Sequence, residues 1–196
     1  MEKKRNTQTI IIAVLAVAVL FMSVGFATFA QTLNIQGNVQ VEPTRWSVHW
    51  DTSSYQKASG SVDILDGSLT ANSTPTLTNT DVTFGAKLSK PGDYAEFTIN
   101  AINDGDFDAQ LTAITLTSLT TEQSKYLEYT VTYAGTDYTA SATGLSIDLP
   151  ATSGSNTVTV KVNVKYITPA NATELPTTTQ NISLTASFDY TQKTSA

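Results

Sequence analysis

The sequence predicts an all-β protein: a single antiparallel β-sandwich, jelly-roll-like or immunoglobulin-like, behind an N-terminal hydrophobic signal helix. Three observations predict it. Apolar side chains recur at every second position through most of the chain after residue 30. Short turns containing Pro, Gly, Asn or Asp separate these runs. An uninterrupted apolar stretch, residues 10–22, follows a charged start that holds Glu2, Lys3, Lys4 and Arg5.

The leader comes first. Gly25, Ala27 and Ala30 follow the apolar stretch and supply the small residues of a cleavage site, after either Ala27 or Ala30. The same segment, 10–30, is 21 residues long and interrupted only by Ser23, Gly25 and Thr28, so an uncleaved membrane anchor is the alternative. Residues 1–30 are therefore read as signal peptide or anchor, and 31–196 as one sandwich domain of about nine strands. The membrane is expected as a partner only through this leader.

Residues 31–41 alternate at once: Leu33, Ile35, Val39 and Val41 share one face, with Gly37 as an interruption. An alternating pattern shows that one face is buried, not in which molecule. This segment is either the first strand of its own sandwich or a donor strand for a neighbour. Further on, Trp46, Val48 and Trp50 share a face opposite Ser47 and His49. Val82, Phe84, Ala86 and Leu88 form another face. "YAEFTINAI" is a strand bracketed by the turns "KPGD" (90–93) and "NDGD" (103–106). Leu127, Tyr129, Val131 and Tyr133 lead into a hairpin turn, "AGTD". Residues 157–167 and 181–190 complete the set, and 121–127 is the one candidate for a short helix.

Composition bounds the partners. The 196 residues carry 11 Lys+Arg against 17 Asp+Glu, a formal charge of −6. Without Lys3, Lys4, Arg5 and Glu2 the balance is 8 against 16, or −8. Nucleic acid and anionic lipid both need a basic footprint that is missing. With no Cys there is neither a disulfide framework nor thiolate chemistry.

Candidates for chemistry are few. His49 is the only histidine. A zinc site usually draws on several His or Cys ligands, so a zinc protease is not expected, and the sequence reads as non-enzymatic. A Ser–His–acid set is formally open, but there is no G-x-S-x-G turn to single out one serine. Asp104, Asp106 and Asp108 place carboxylates at alternate positions of a loop, a weak Ca²⁺ candidate that Asp93 could join; solvated turn acids are the plainer reading. An EF-hand is ruled out because Thr115 stands where its final Glu belongs. Trp46, Trp50, Tyr126, Tyr129, Tyr133 and Tyr138 offer a sugar-stacking platform, though aromatics at period two more often fill a core. The triplets at Asn72, Asn171 and Asn181 carry no weight in so Ser/Thr-rich a chain.

Three stretches together resemble the TasA/camelysin-type surface proteins of Gram-positive bacteria. They are "LSKPGDYAEFTINAINDGDFDAQLTAITL", "ELPTTTQNISLTASFDYTQ" and the leader junction "GFATFAQT". The resemblance implies a jelly-roll-like sandwich, export to the cell surface or extracellular matrix, and a role as a biofilm-matrix fibre subunit. It implies partners that are copies of itself or related surface subunits, joined when the N-terminal strand of one completes a sheet of the next. Burying Leu33, Ile35, Val39 and Val41 in such a joint contributes roughly 1.5–3 kcal/mol each before the cost of ordering the segment. The stretch "NVQVEPTRWSVHWD" departs from the resemblance, leaving open a surface-bound carbohydrate-binding module or an extracellular hydrolase.

Overall fold

The structure, a computed structural model, describes residues 2–28, 40, 42 and 44–194. The chain divides into two compact units, Met1–Glu42 and Pro43–Ala196. The first contributes one described element, helix α1 (Glu2–Thr28). Ile10, Ile12, Leu15 and Val17 are exposed around its circumference. Side chains of α1 are described over 6–19 only, and among the described residues no helix is long and apolar enough to cross a membrane. The proposed donor residues Leu33, Ile35, Val39 and Val41 lie outside the described residues.

Among the described residues of the second unit the regular elements are β-strands and two 3₁₀ turns. Its strands are β1 (Val48–Lys57), β2 (Ile64–Leu65), β3 (Thr76–Leu77), β4 (Val82–Thr83), β5 (Gly85–Ala86) and β6 (Tyr94–Asn103). They continue with β7 (Ala109–Leu116), β8 (Leu127–Tyr133), β9 (Thr136–Tyr138), β10 (Ala142–Leu149), β11 (Thr157–Tyr166) and β12 (Ala186–Gln192). A five-stranded sheet runs β1-β6-β11-β8-β9 and a three-stranded sheet runs β10-β7-β12. β2 with β5 and β3 with β4 form two small ladders, and all described pairings are antiparallel.

The arrangement is sandwich-like because both large sheets feed one core. Phe97 and Ile99 from β6, Val131 and Tyr133 from β8 and Val160 from β11 meet Leu111 and Ile114 from β7. β6 shows the cause most plainly. Its odd-numbered residues, Ala95 to Asn103, are buried and its even-numbered ones only partly so, as a pleat with one wet face demands. Turns stop it at both ends. In "KPGD", Gly92 takes φ +98°, and Asp93 accepts at Oδ2 from the Ser89 and Lys90 amides. The "AGTD" turn is the expected hairpin: Tyr133 pairs Thr136 around Ala134 and Gly135, both at positive φ (49° and 80°).

Several elements differ from the sequence reading. The expected helix at 121–127 is a 3₁₀ turn, Gln123–Lys125, too short to satisfy a regular α-helical ladder. The strand expected at 181–190 begins at Ala186; Ile182 and Leu184 still pack on the core, but their backbone lies outside the ladder. The 82–88 run is split into two-residue strands, with Phe84 turned onto Phe97 at 4.9 Å between them. β1 extends to Lys57 through a large bulge, in which the register steps from Asp51↔Asn100 to Gln56↔Thr98.

Candidate functional site

Two of the residues singled out for chemistry, His49 and Asp104, meet at one end of the β1–β6 ladder. There the chain ahead of β1 runs antiparallel to the "NDGD" turn that ends β6. The Asp104 amide donates to the Ser47 carbonyl (3.0 Å) and the Asp106 amide to the Arg45 carbonyl (2.8 Å). In return the Arg45 amide donates to Asp106 Oδ2, and the Arg45 guanidinium to the Asp104 carbonyl oxygen. The register Val48↔Asn103 thus continues as a strap in which residues 45–47 lie against 104–106. Gly105 makes this approach possible: a Cβ there would stand 2.8 Å from the Arg45 carbonyl oxygen and 2.8 Å from the Ser47 nitrogen.

Asn103 anchors the turn from below. It is fully buried, and its Nδ2 donates to the carbonyls of Phe107 and Leu149, both at 2.9 Å. Its Oδ1 accepts from the Gly105 amide at 3.2 Å. A polar side chain in the core is tolerated here because its hydrogen-bonding groups are engaged.

Four polar side chains gather above. Asp104 lies 3.5 Å from the Arg45 guanidinium and, through Oδ1, 3.5 Å from His49 Nδ1. The Ser47 hydroxyl stands 3.5 Å from that same Nδ1. A hydrogen bond from Ser47, with the charges of Arg45 and His49, holds the Asp104 carboxyl below the usual carboxylate range. A Ser–His–acid set is thereby brought together, but with the wrong wiring. A proton relay needs the acid on one imidazole nitrogen and the hydroxyl on the other. Here both approach Nδ1, so His49 cannot take a proton from Ser47 while oriented by Asp104. The cluster is suited to holding two backbone segments together.

The three acids proposed for Ca²⁺ diverge. Asp104 faces Arg45, Ser47 and His49; Asp106 accepts from the Arg45 amide; Asp108 Oδ1 accepts from the Ala151 amide at 2.9 Å. Asp93 is engaged in its own turn. Asp106 and Asp108 line a surface depression of about 580 Å³ that already contains a fixed cation, Lys193. The Lys193 ammonium donates to Asp148, which holds its pKa up and that of Asp148 down. Among the described residues no group of three His, Asp or Glu side chains is placed to hold a metal ion.

The aromatic platform also dissolves. Tyr129 and Tyr133 are buried, Trp50 packs edge-on against Phe188 at 5.4 Å, and Tyr126 packs on Tyr166. Trp46 alone goes the other way, 45% exposed, ahead of β1 rather than within it. The sequence reading missed Arg45, Ser47 and Gly105 as partners of the acids. The available signal was a glycine flanked by two acids and an isolated arginine just before a strand, but only register brings them together.

No family model matches the sequence, and no curated protein matches it.

Proposed function

We propose that the chain is an exported, non-enzymatic subunit of an extracellular filament or biofilm-matrix fibre. Its domain is one jelly-roll-like sandwich, and copies join when residues 31–41 of one complete a sheet of the next. The resemblance to TasA-type proteins motivates the reading, and the unequal sheets carry it. Among the described residues three strands stand against five, and the smaller sheet ends in β10 on one side and β12 on the other. The edges of the larger sheet are less available. The Trp50 amide of β1 already donates to the Asn79 carbonyl (2.8 Å), and β9 has only three residues. β10 carries two extra residues between Thr143 and Ile147, a bulge that twists an edge away from partners. At the corresponding irregularity beside β12 the extra residue, Thr112, belongs to β7, so β12 runs unbroken as the flatter edge. An extended arm alternating apolar and polar side chains fits such an edge.

The strap fixes the backbone at Arg45, which is bonded through both its amide and its carbonyl. The decisive experiment expresses the chain with its leader in a Gram-positive host and recovers the exported protein. N-terminal sequencing locates the processed end, and sedimentation with electron microscopy reports assembly. The expected result is polymer from the intact chain and monomer from a chain lacking 31–41. Normal polymer from the deletion chain removes the arm mechanism; inert monomer from the intact chain removes the filament.

A further inference from the structure

β12 is a separable piece of the sandwich. Among the described residues it pairs with β7 alone, with Ser187 opposite Thr115 and Phe188 opposite Ile114. Phe188 stands edge-on to Trp50 at 5.4 Å and tilted against Tyr133 at 5.9 Å. The Tyr190 hydroxyl donates to the Tyr133 hydroxyl at 3.1 Å. Both ends of the strand are tied down. The Thr117 amide donates to the Thr185 carbonyl (3.0 Å), and the Thr185 amide to the Thr117 hydroxyl (2.9 Å). Beyond β12 the Lys193 amide donates to the Asp108 carbonyl at 2.8 Å.

The connection that delivers this strand is of another kind. Residues 167–185 separate β12 from β11, the longest gap between consecutive strands among the described residues. Connections of that length without strands are uncommon in compact domains. Among the described residues, the backbone–backbone hydrogen bonds of 168–184 are the two inside its own 3₁₀ turn, Glu174 to Asn171 and Leu175 to Ala172. Pro169 and Pro176 favour extended chain, and Leu175, ahead of Pro176, is extended (φ −70°, ψ 141°). Fully extended, these 19 residues reach about 60 Å, against a diameter of about 40 Å for a domain of this size. The tether is long enough to carry β12 to a neighbour. The seat is the same in every copy, so an incoming β12 makes the contacts already described.

We propose that β12 is exchanged between copies: residues 185–193 of one chain seat on β7 of a second, closing the smaller sheet of that second chain. Phe188 of the donor then faces Trp50 and Tyr133 of the acceptor. Exchange belongs to the folding step, because a seated β12 must first give up its whole ladder. Reciprocal exchange closes a pair, and exchange in one direction makes an open chain. The inference uses no residue of 31–41 and stands apart from the arm.

The chain has no cysteine, so introduced ones report which copy holds β12. Thr115 and Ser187 are exposed and opposite each other. Antiparallel partners stand about 4.5–5.5 Å apart at Cα, within the span of a disulfide. Exported chains carrying Thr115→Cys and isotope-labelled chains carrying Ser187→Cys are unfolded in urea, mixed, refolded together and oxidised. Mass spectrometry then counts 115–187 bonds between labelled and unlabelled chains. The expected yield is at least about tenfold that of Thr157→Cys mixed with Ser187→Cys, Thr157 being exposed on the larger sheet. A yield no higher than this control overturns the exchange. A bond that forms equally from chains folded separately and then mixed is collision, and overturns it too. The chain with both cysteines gives a second reading: oxidation wholly within single chains shows each copy keeping its own strand, which overturns the exchange and leaves the filament reading standing. A chain lacking 31–41 is expected to form the between-chain bond undiminished, and its loss there overturns the exchange as stated.

Discussion

Replacing Gly105 with alanine tests the strap at its tightest point. The new Cβ would stand 2.8 Å from both the Arg45 carbonyl oxygen and the Ser47 nitrogen, below the 3.0 Å that Cβ contacts essentially never breach. Both obstacles are backbone, so no side-chain rotation relieves the overlap. The chain's way out is to let residues 45–47 detach from 104–106. That forfeits two amide–carbonyl bonds and the bond from the Arg45 amide to Asp106. At about 0.5–1.5 kcal/mol net per bond, the loss is about 1.5–4.5 kcal/mol, and it saturates there because a released strap feels no further clash. Urea denaturation of Gly105→Ala should show a drop within that range. Amide exchange at Asp104 and Asp106 should quicken about tenfold or more, while Ile99 and Val131 in the core change only by the global loss. An unchanged midpoint with unchanged protection at both amides would refute the strap.

Three further outcomes follow from named contacts. Asn103→Ala takes the donor away from the buried carbonyls of Phe107 and Leu149 and should cost about 2–4 kcal/mol in a chemical melt, with no loss of hydrophobic area to explain it. Ala134→Asn places at φ 49° in the β8–β9 turn a residue whose side chain hydrogen-bonds locally in the left-handed region, and by supplying Asn-Gly should raise stability by about 0.5–1 kcal/mol, read as a melting temperature about 1–4 °C higher. Burial pushes the Tyr129 hydroxyl up to about 12 from its ordinary 10.0, and raises Tyr133 and Tyr190 in the same direction. The folded state therefore keeps protons that the unfolded chain gives up. This stability is whole below about pH 10 and is lost as pH climbs towards 12, so denaturation midpoints should fall steeply across that window and less steeply in Tyr129→Phe.

Strands buried on one face were the legible part of the fold. The β6, β8 and β11 segments could be read because each alternates without interruption and ends at a turn whose residues permit little else. β12 was read too long because Ile182 and Leu184 alternate and pack as a strand would, yet their amides do not join the ladder. The two-residue strands around Phe84 could not be read, since their pairing is fixed by neighbours far along the chain. The same holds at the site. Asp104 and His49 were noticed one at a time, but their meeting depends on the register Val48↔Asn103, and register belongs to the pair of strands, not to either alone.

The position of β12 has a consequence for cooperativity. It brings Phe188 and Tyr190 against Tyr133 and closes the smaller sheet on β7, with Ser187 opposite Thr115. Without β12 that core stays open on one side, so the two sheets gain their shared interior only when segments far apart in the sequence have met, and a lesion in β12 should be felt in β8 as well as in β7.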